Sequence, residues 1–172
     1  MSANSASGIC APDKDEEFRD YLTVAMHTGM RPQELRIIAA CYVMFKEKML
    51  RIPKELTKGK RQERRIPLND TVMVIFQRLA LKYPAGPLLR NCDGNPWNKD
   101  AVNGRFVRLR AKLKFGCSAY YLRHSFATQG LANGATDSGM AELLGHADKT
   151  MILRVYGHVD KCEDPVRRSL SL

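Results

Sequence analysis

Long apolar runs are missing from this chain. The longest strongly apolar stretch, Ile37 to Phe45, is far shorter than the roughly 20 residues a helix needs to cross a bilayer, so no membrane-spanning helix is expected. The opening residues, Met-Ser-Ala-Asn-Ser-Ala-Ser-Gly, lack the basic start and apolar centre of a secretory leader and are expected to form a flexible lead-in. Cysteine is sparse and scattered. The five cysteines, at 10, 41, 92, 117 and 162, are odd in number and form no Cys-x-x-Cys pair or Cys/His cluster. That pattern speaks against a zinc site or disulfide framework and fits reduced thiols in a cytoplasm. No internal repeat is visible. Acidic residues are in deficit, 18 against 28 lysines and arginines, giving a formal charge of +10. Such an excess is the footprint expected of a nucleic-acid partner, although a merely basic soluble protein carries the same charge. The 172 residues suffice for one domain with a real core.

What is present is mainly helical. Phe18, Leu22, Ala25 and Met26 recur at helical spacing, and Thr28-Gly29 ends that helix. Met30-Arg31-Pro32-Gln33-Glu34-Leu35 starts another, with Pro32 suited to a first turn and Leu35, Ile38 and Ala39 on one face. Tyr42 to Phe45, Met49 to Pro53 and Arg65 to Leu68 are short strand candidates. Between the last two, Lys58, Lys60, Arg61, Arg64 and Arg65 crowd together, which reads as a solvated basic hairpin tip. Asn69-Asp70 caps a helix to about Tyr83, Pro84-Ala85-Gly86-Pro87 breaks it, and a turn-rich excursion leads to Trp97, expected to pack rather than stack on a base. Lys99 to Lys114 is a helix with Arg105, Arg108, Arg110, Lys112 and Lys114 opposite Val102, Phe106, Leu109 and Leu113. It suits phosphate contacts and equally an ordinary solvated surface.

The stretch from Tyr120 to His158 organises the rest. Leu122, Phe126 and Gly130 fall one turn apart, and Met140, Leu143 and Leu144 make a second apolar set. Asn133-Gly134 is a helix stop between them, and Thr136 or Asp137 is a plausible N-cap for the second helix. Arg123, His146 and Tyr156 are thereby carried on consecutive short helices whose apolar faces pack together. A guanidinium, an imidazole and a phenol at one point suit a phosphodiester: cations hold the phosphate and the phenol attacks it.

Leu-Arg-His-Ser-Phe-Ala-Thr (122 to 128), Leu-Leu-Gly-His (143 to 146) and Tyr156, ten residues after that histidine, resemble the C-terminal boxes of the tyrosine recombinase family, the phage integrases and their relatives. Thr28-Gly-Met-Arg-Pro-Gln-Glu-Leu35 is similar to the family's first box. The resemblance implies an α+β, mostly helical catalytic domain with a small antiparallel three-stranded sheet, over about residues 16 to 160. Residues 1 to 15 would be the lead-in and 161 to 172 a C-terminal tail. It implies site-specific recombination of double-stranded DNA through a 3′-phosphotyrosine, without cofactor or metal. Arg31 and Arg123 would grip the scissile phosphate, His146 would serve the proton traffic and Tyr156 would attack. Glu34 would orient Arg31 or a neighbouring base. A family lysine on the hairpin falls on Lys58, with Lys60 the alternative; Lys60, Arg61, Arg64, Arg105 and Arg108 would contact DNA.

Two departures stand out. The family usually places a histidine three residues before the second arginine, where this chain has Tyr120, a phenol able to hydrogen-bond phosphate but poorly suited to neutral-pH acid/base work. His124 fits a structural position instead. The family's N-terminal DNA-clamping domain is also not seen, so a fragment or truncation with weak DNA affinity is expected. The resemblance further implies a tetrameric synapse on DNA for the full-length protein, a monomeric isolated domain, and a cytoplasmic, nucleoid-associated setting of bacterial or phage origin. A DNA-binding remnant and a type IB topoisomerase-like activity are the competing expectations.

Overall fold

The computed structural model describes residues 16–57 and 63–145. Helix α1 (Glu16–Thr28) opens with Glu16 and Glu17 in its first turn, where carboxylates complement the positive end of the helix. The short α2 (Pro32–Leu35) follows after one tight turn. Three strands come next, β1 (Val43–Met44), β2 (Met49–Ile52) and β3 (Arg64–Pro67). They pair antiparallel in the order β1-β2-β3, with Val43 opposite Leu50 and Ile52 opposite Arg64. Then come α3 (Asp70–Lys82), α4 (Lys99–Leu113), α5 (Ala119–Ala132) and α6 (Asp137–Leu144). A mostly helical fold with a small antiparallel three-stranded sheet is what the sequence predicts.

Local chemistry sets the boundaries. The Asn69 side chain accepts from the Val72 N–H at 3.0 Å to start α3, and Thr136 rather than Asp137 caps α6 by accepting from the Gly139 N–H at 3.1 Å. Asn133, with its N–H on the Gln129 carbonyl at 3.0 Å, closes α5. The first strand is shorter than its apolar run predicts. A single 3-10 turn takes Ala40–Tyr42, and Lys48 at φ 49° tightens the connection into β2. On α4, Leu113 is 43% exposed instead of buried, because Lys114 at φ 58° ends the helix there.

The core joins one face of α1 (Phe18, Tyr21, Val24, Ala25) to the inner faces of β2 and β3 (Leu50, Ile52, Ile66) and to Val72, Met73, Phe76 and Leu79 of α3. Trp97 is buried against Phe18, ring centroids 5.7 Å apart, and Phe106 lies 5.5 Å from Phe18. These edge-to-face contacts make Trp97 a packing residue, as expected. Arg78 on α3 ties down α1, donating to both Asp20 oxygens at 2.7 Å. A second, smaller cluster of Ala127, Met140, Ala141 and Leu144 joins α5 to α6. The α1–α5 and α6–β3 packing therefore brings three distant pieces of sequence to one place.

Candidate active site

The turn from α1 to α2 places the first arginine. Gly29 sits at φ +57°, and a Cβ there would lie 2.3 Å from the Phe126 ring of α5; only glycine meets both demands. Two residues later, Arg31 is the N-cap of α2. Its backbone N–H donates to Glu34 Oε2 at 2.9 Å and its guanidinium Nη1 to Glu34 Oε1 at 3.0 Å. Glu34 thus caps the helix and fixes the Arg31 side chain together.

Arg123 projects inward from α5, 3% exposed. Its Nη1 donates to the Gly29 carbonyl and its Nη2 to the Leu144 carbonyl, both at 2.6 Å. Burial, then repulsion from Arg31 and Arg64, pushes its pKa down to about 9. It remains protonated at neutral pH, in a place where a second positive charge is unwelcome until an anion arrives.

Arg64 corrects the expectation placed on it. It does not face solvent as a DNA-contacting cation. It is 5% exposed, pairs through Nη1 with Glu34 Oε2 and donates through Nη2 to the Leu143 carbonyl at 2.6 Å. Strand parity explains this. In β3, Arg64 and Ile66 are buried while Arg65 and Pro67 are exposed, because side chains two apart share a face. The core residues Ile66 and Leu68 are the sequence signal that Arg64 points inward. Burial lowers the Arg64 pKa, and the Glu34 carboxylate offsets only part of this. Burial would raise the Glu34 carboxyl, but Arg64 and Arg31 outweigh it and hold it below the usual carboxylate range.

These three guanidiniums meet at the end of α6. Arg64 takes the Leu143 carbonyl, Arg123 the Leu144 carbonyl, and Arg31 the Gly145 carbonyl at 2.7 Å. Helix C-termini leave such carbonyls without partners, and the negative end of the helix favours cations. Gly145 completes the fit. It occupies φ +65°, and a Cβ on it would lie 3.1 Å from Arg64 Cδ and Nε. The Leu-Leu-Gly string is therefore a surface that three arginines grip.

Arg31 and Arg123 line one groove of about 550 Å³. Arg36, Lys99, Tyr120 and the buried Tyr21 line it as well; no sequence motif marks Arg36 or Lys99. Among the described residues that line it there is no carboxylate, and Glu34, which holds Arg31, is 0% exposed. Tyr120 is exposed on the rim, its ring edge-on to His124 at 4.8 Å. Partial burial, then the charge of Arg123, lowers the His124 pKa, so this imidazole is neutral at pH 7. On α4, Arg105 is half-buried with its guanidinium 5.9 Å from the Phe18 ring, and Arg108 is exposed. Lys58, Lys60, Arg61, His146 and Tyr156 lie outside the described residues. Two guanidiniums beside one groove can hold the two non-bridging oxygens of a phosphate group.

The sequence profile of the phage integrase family matches residues 5–163. The tyrosine recombinase XerD of Staphylococcus saprophyticus is 32% identical over 155 residues, covering 84% of this chain and 51% of that protein. XerD of Staphylococcus haemolyticus is 32% identical over 163 residues, with 87% and 53% covered. The chain thus spans about half the length of the recombinases it matches. In structure it is similar to the Tn1549 transposon integrase in complex with circular intermediate DNA, at TM-score 0.71 and 21% identity over 90% of this chain and 59% of that one. The catalytic domain of bacteriophage HP1 integrase superposes at TM-score 0.59 and 22% identity, covering 85% of this chain and 77% of that one.

Proposed function

Because the chain belongs to the phage integrase family, we propose that it carries the catalytic domain of a site-specific DNA recombinase, over residues 16 to 160, and cleaves and rejoins duplex DNA through its own tyrosine. The observation that carries this reading is the convergence of Arg31 and Arg123 on one groove, both fastened to the end of the helix that leads to His146 and Tyr156.

The steps follow from the side chains. The Tyr156 phenol attacks the scissile phosphorus: a Tyr–O–P bond forms, the bond to the 5′ oxygen breaks, and a 3′-phosphotyrosine remains. His146 takes the phenolic proton, and Lys58 supplies one to the departing 5′ oxygen. A free phenol has a pKa of about 10, so the neighbouring cations are needed to favour its ionised form at neutral pH. Arg31 and Arg123 meet the charge that grows on the non-bridging oxygens, and removing one such donor typically costs about 2.7–4 kcal/mol in barrier. The phosphodiester's energy is kept in the protein–DNA bond, so the reverse attack by a 5′-hydroxyl reseals the strand. Double-stranded DNA is the partner, and copies of the full-length protein would assemble as a tetramer on it. A DNA partner places the protein in the cytoplasm, associated with the nucleoid; among the described residues no helix is long and apolar enough to cross a membrane.

Tyr120 favours one second reading, a DNA-binding remnant with weakened chemistry. A suicide substrate of nicked duplex DNA separates the two. A covalent adduct that forms with the unmodified chain and disappears in Tyr156→Phe supports the recombinase. No adduct, even after fusion to a DNA-clamping domain, leaves the remnant.

A further inference from the structure

We propose that Arg64 is a charge-balancing positioning residue: its guanidinium neutralises Glu34, so that Glu34 can hold Arg31 in place without cancelling the positive field a phosphate meets in the groove. This rests on the reading of the groove as a phosphate site.

Glu34 is the origin of the problem that Arg64 solves. Its carboxylate is 0% exposed and contacts the Arg31 guanidinium at 3.0 Å. Water cannot screen a charge buried so close to the anion's position, and at such range a carboxylate repels an incoming phosphate about as strongly as one guanidinium attracts it. With Arg31, Arg123 and Glu34 alone, one of the two useful charges would be lost. Arg64 restores it by pairing with the other carboxylate oxygen. Arg64 is not among the residues lining the groove, so it acts through Glu34 and not on the substrate. Its other hydrogen bond, to the Leu143 carbonyl at 2.6 Å, holds the guanidinium in place.

The test reads anion binding as well as DNA cleavage. Inorganic phosphate is titrated at low ionic strength, where charge effects are least screened, into Arg64→Met, Arg64→Lys and the double variant Glu34→Gln/Arg64→Met. Single-turnover cleavage of the nicked duplex is measured on each. Arg64→Met removes the balance and is expected to weaken phosphate binding and slow cleavage by on the order of tenfold to a hundredfold. Arg64→Lys keeps the charge and stays within about tenfold of the unmodified chain. The double variant carries the same net charge around the groove as the unmodified chain and regains most of the phosphate affinity. Arg78→Met, which removes the ion pair holding α3 to Asp20 of α1 and alters no residue that lines the groove, lowers stability and leaves phosphate affinity unchanged.

A folded Arg64→Met that binds phosphate like the unmodified chain overturns the proposal. So does a folded double variant that binds no better than Arg64→Met, or, where Arg64→Met does not fold, one that binds more than tenfold worse than the unmodified chain. Charge-ordered phosphate binding without any covalent DNA adduct would instead remove the recombinase reading and leave this one standing.

Discussion

Replacing Gly145 by alanine tests whether the arginines are packed against the end of α6. Gly145 adopts φ +65°, and its missing Cβ would lie 3.1 Å from Arg64 Cδ and Nε and 3.4 Å from Arg31 Nη1. The left-handed conformation alone costs a residue with a Cβ about 1–2 kcal/mol. The close approach adds a second cost, because the Arg64 side chain must give by a few tenths of an ångström while holding the Leu143 carbonyl at 2.6 Å. Weakening one hydrogen bond to a charged group contributes a further ~1.5 kcal/mol. Gly94 supplies the reference. It has φ +76° and nothing within 4 Å of its Cβ position, so Gly94→Ala bears the backbone cost alone. We expect Gly145→Ala to lose about 2–4 kcal/mol and Gly94→Ala about 1–2 kcal/mol. Urea unfolding followed by the fluorescence of the single, buried Trp97 measures both. Displaced donors should also slow DNA cleavage by on the order of tenfold in Gly145→Ala, with no change in Gly94→Ala. Equal losses of stability, with cleavage intact in both, would show that the arginines do not rest on α6.

Glu34→Gln is expected to cost about 3 kcal/mol at neutral pH, because it leaves Arg64 buried with its counter-charge removed. The folded-state pKa of Glu34 lies below its ordinary value of 4.5, so its stabilisation is full above that value and fades as the pH falls through the folded-state pKa. Unfolding free energies of Glu34→Gln and the unmodified chain should therefore converge in acid, and a gap that persists there would refute the assignment. On the basic hairpin, Lys58→Ala should slow cleavage far more than Lys60→Ala in a single-turnover assay. The reverse order would move the proton donor to Lys60.

The helices are legible in the sequence because their signals are local: apolar spacing on α1 and α3, Asn69 as a cap, Gly134 beyond the end of α5. The boxes around Arg31 and Arg123 are legible too, since each is a short string. Arg64 is the misleading case. Its spacing of two from Ile66 points it inward, yet its basic neighbours suggest a place at the surface. Arg36 and Lys99 carry no signal, because nothing local links the end of α2 to the start of α4.

The amino-acid order by itself determined which residues could hold a phosphate and which glycines the turns required, since charge and backbone freedom belong to single residues. Only the tertiary structure decided that Leu143, Leu144 and Gly145 would each receive one arginine, from β3, α5 and the α1–α2 turn respectively. The physical reason is that a helix end leaves its carbonyls unpaired whatever its sequence. Which donors reach them depends on how α1, α5, α6 and β3 pack, and that is settled by the whole core at once.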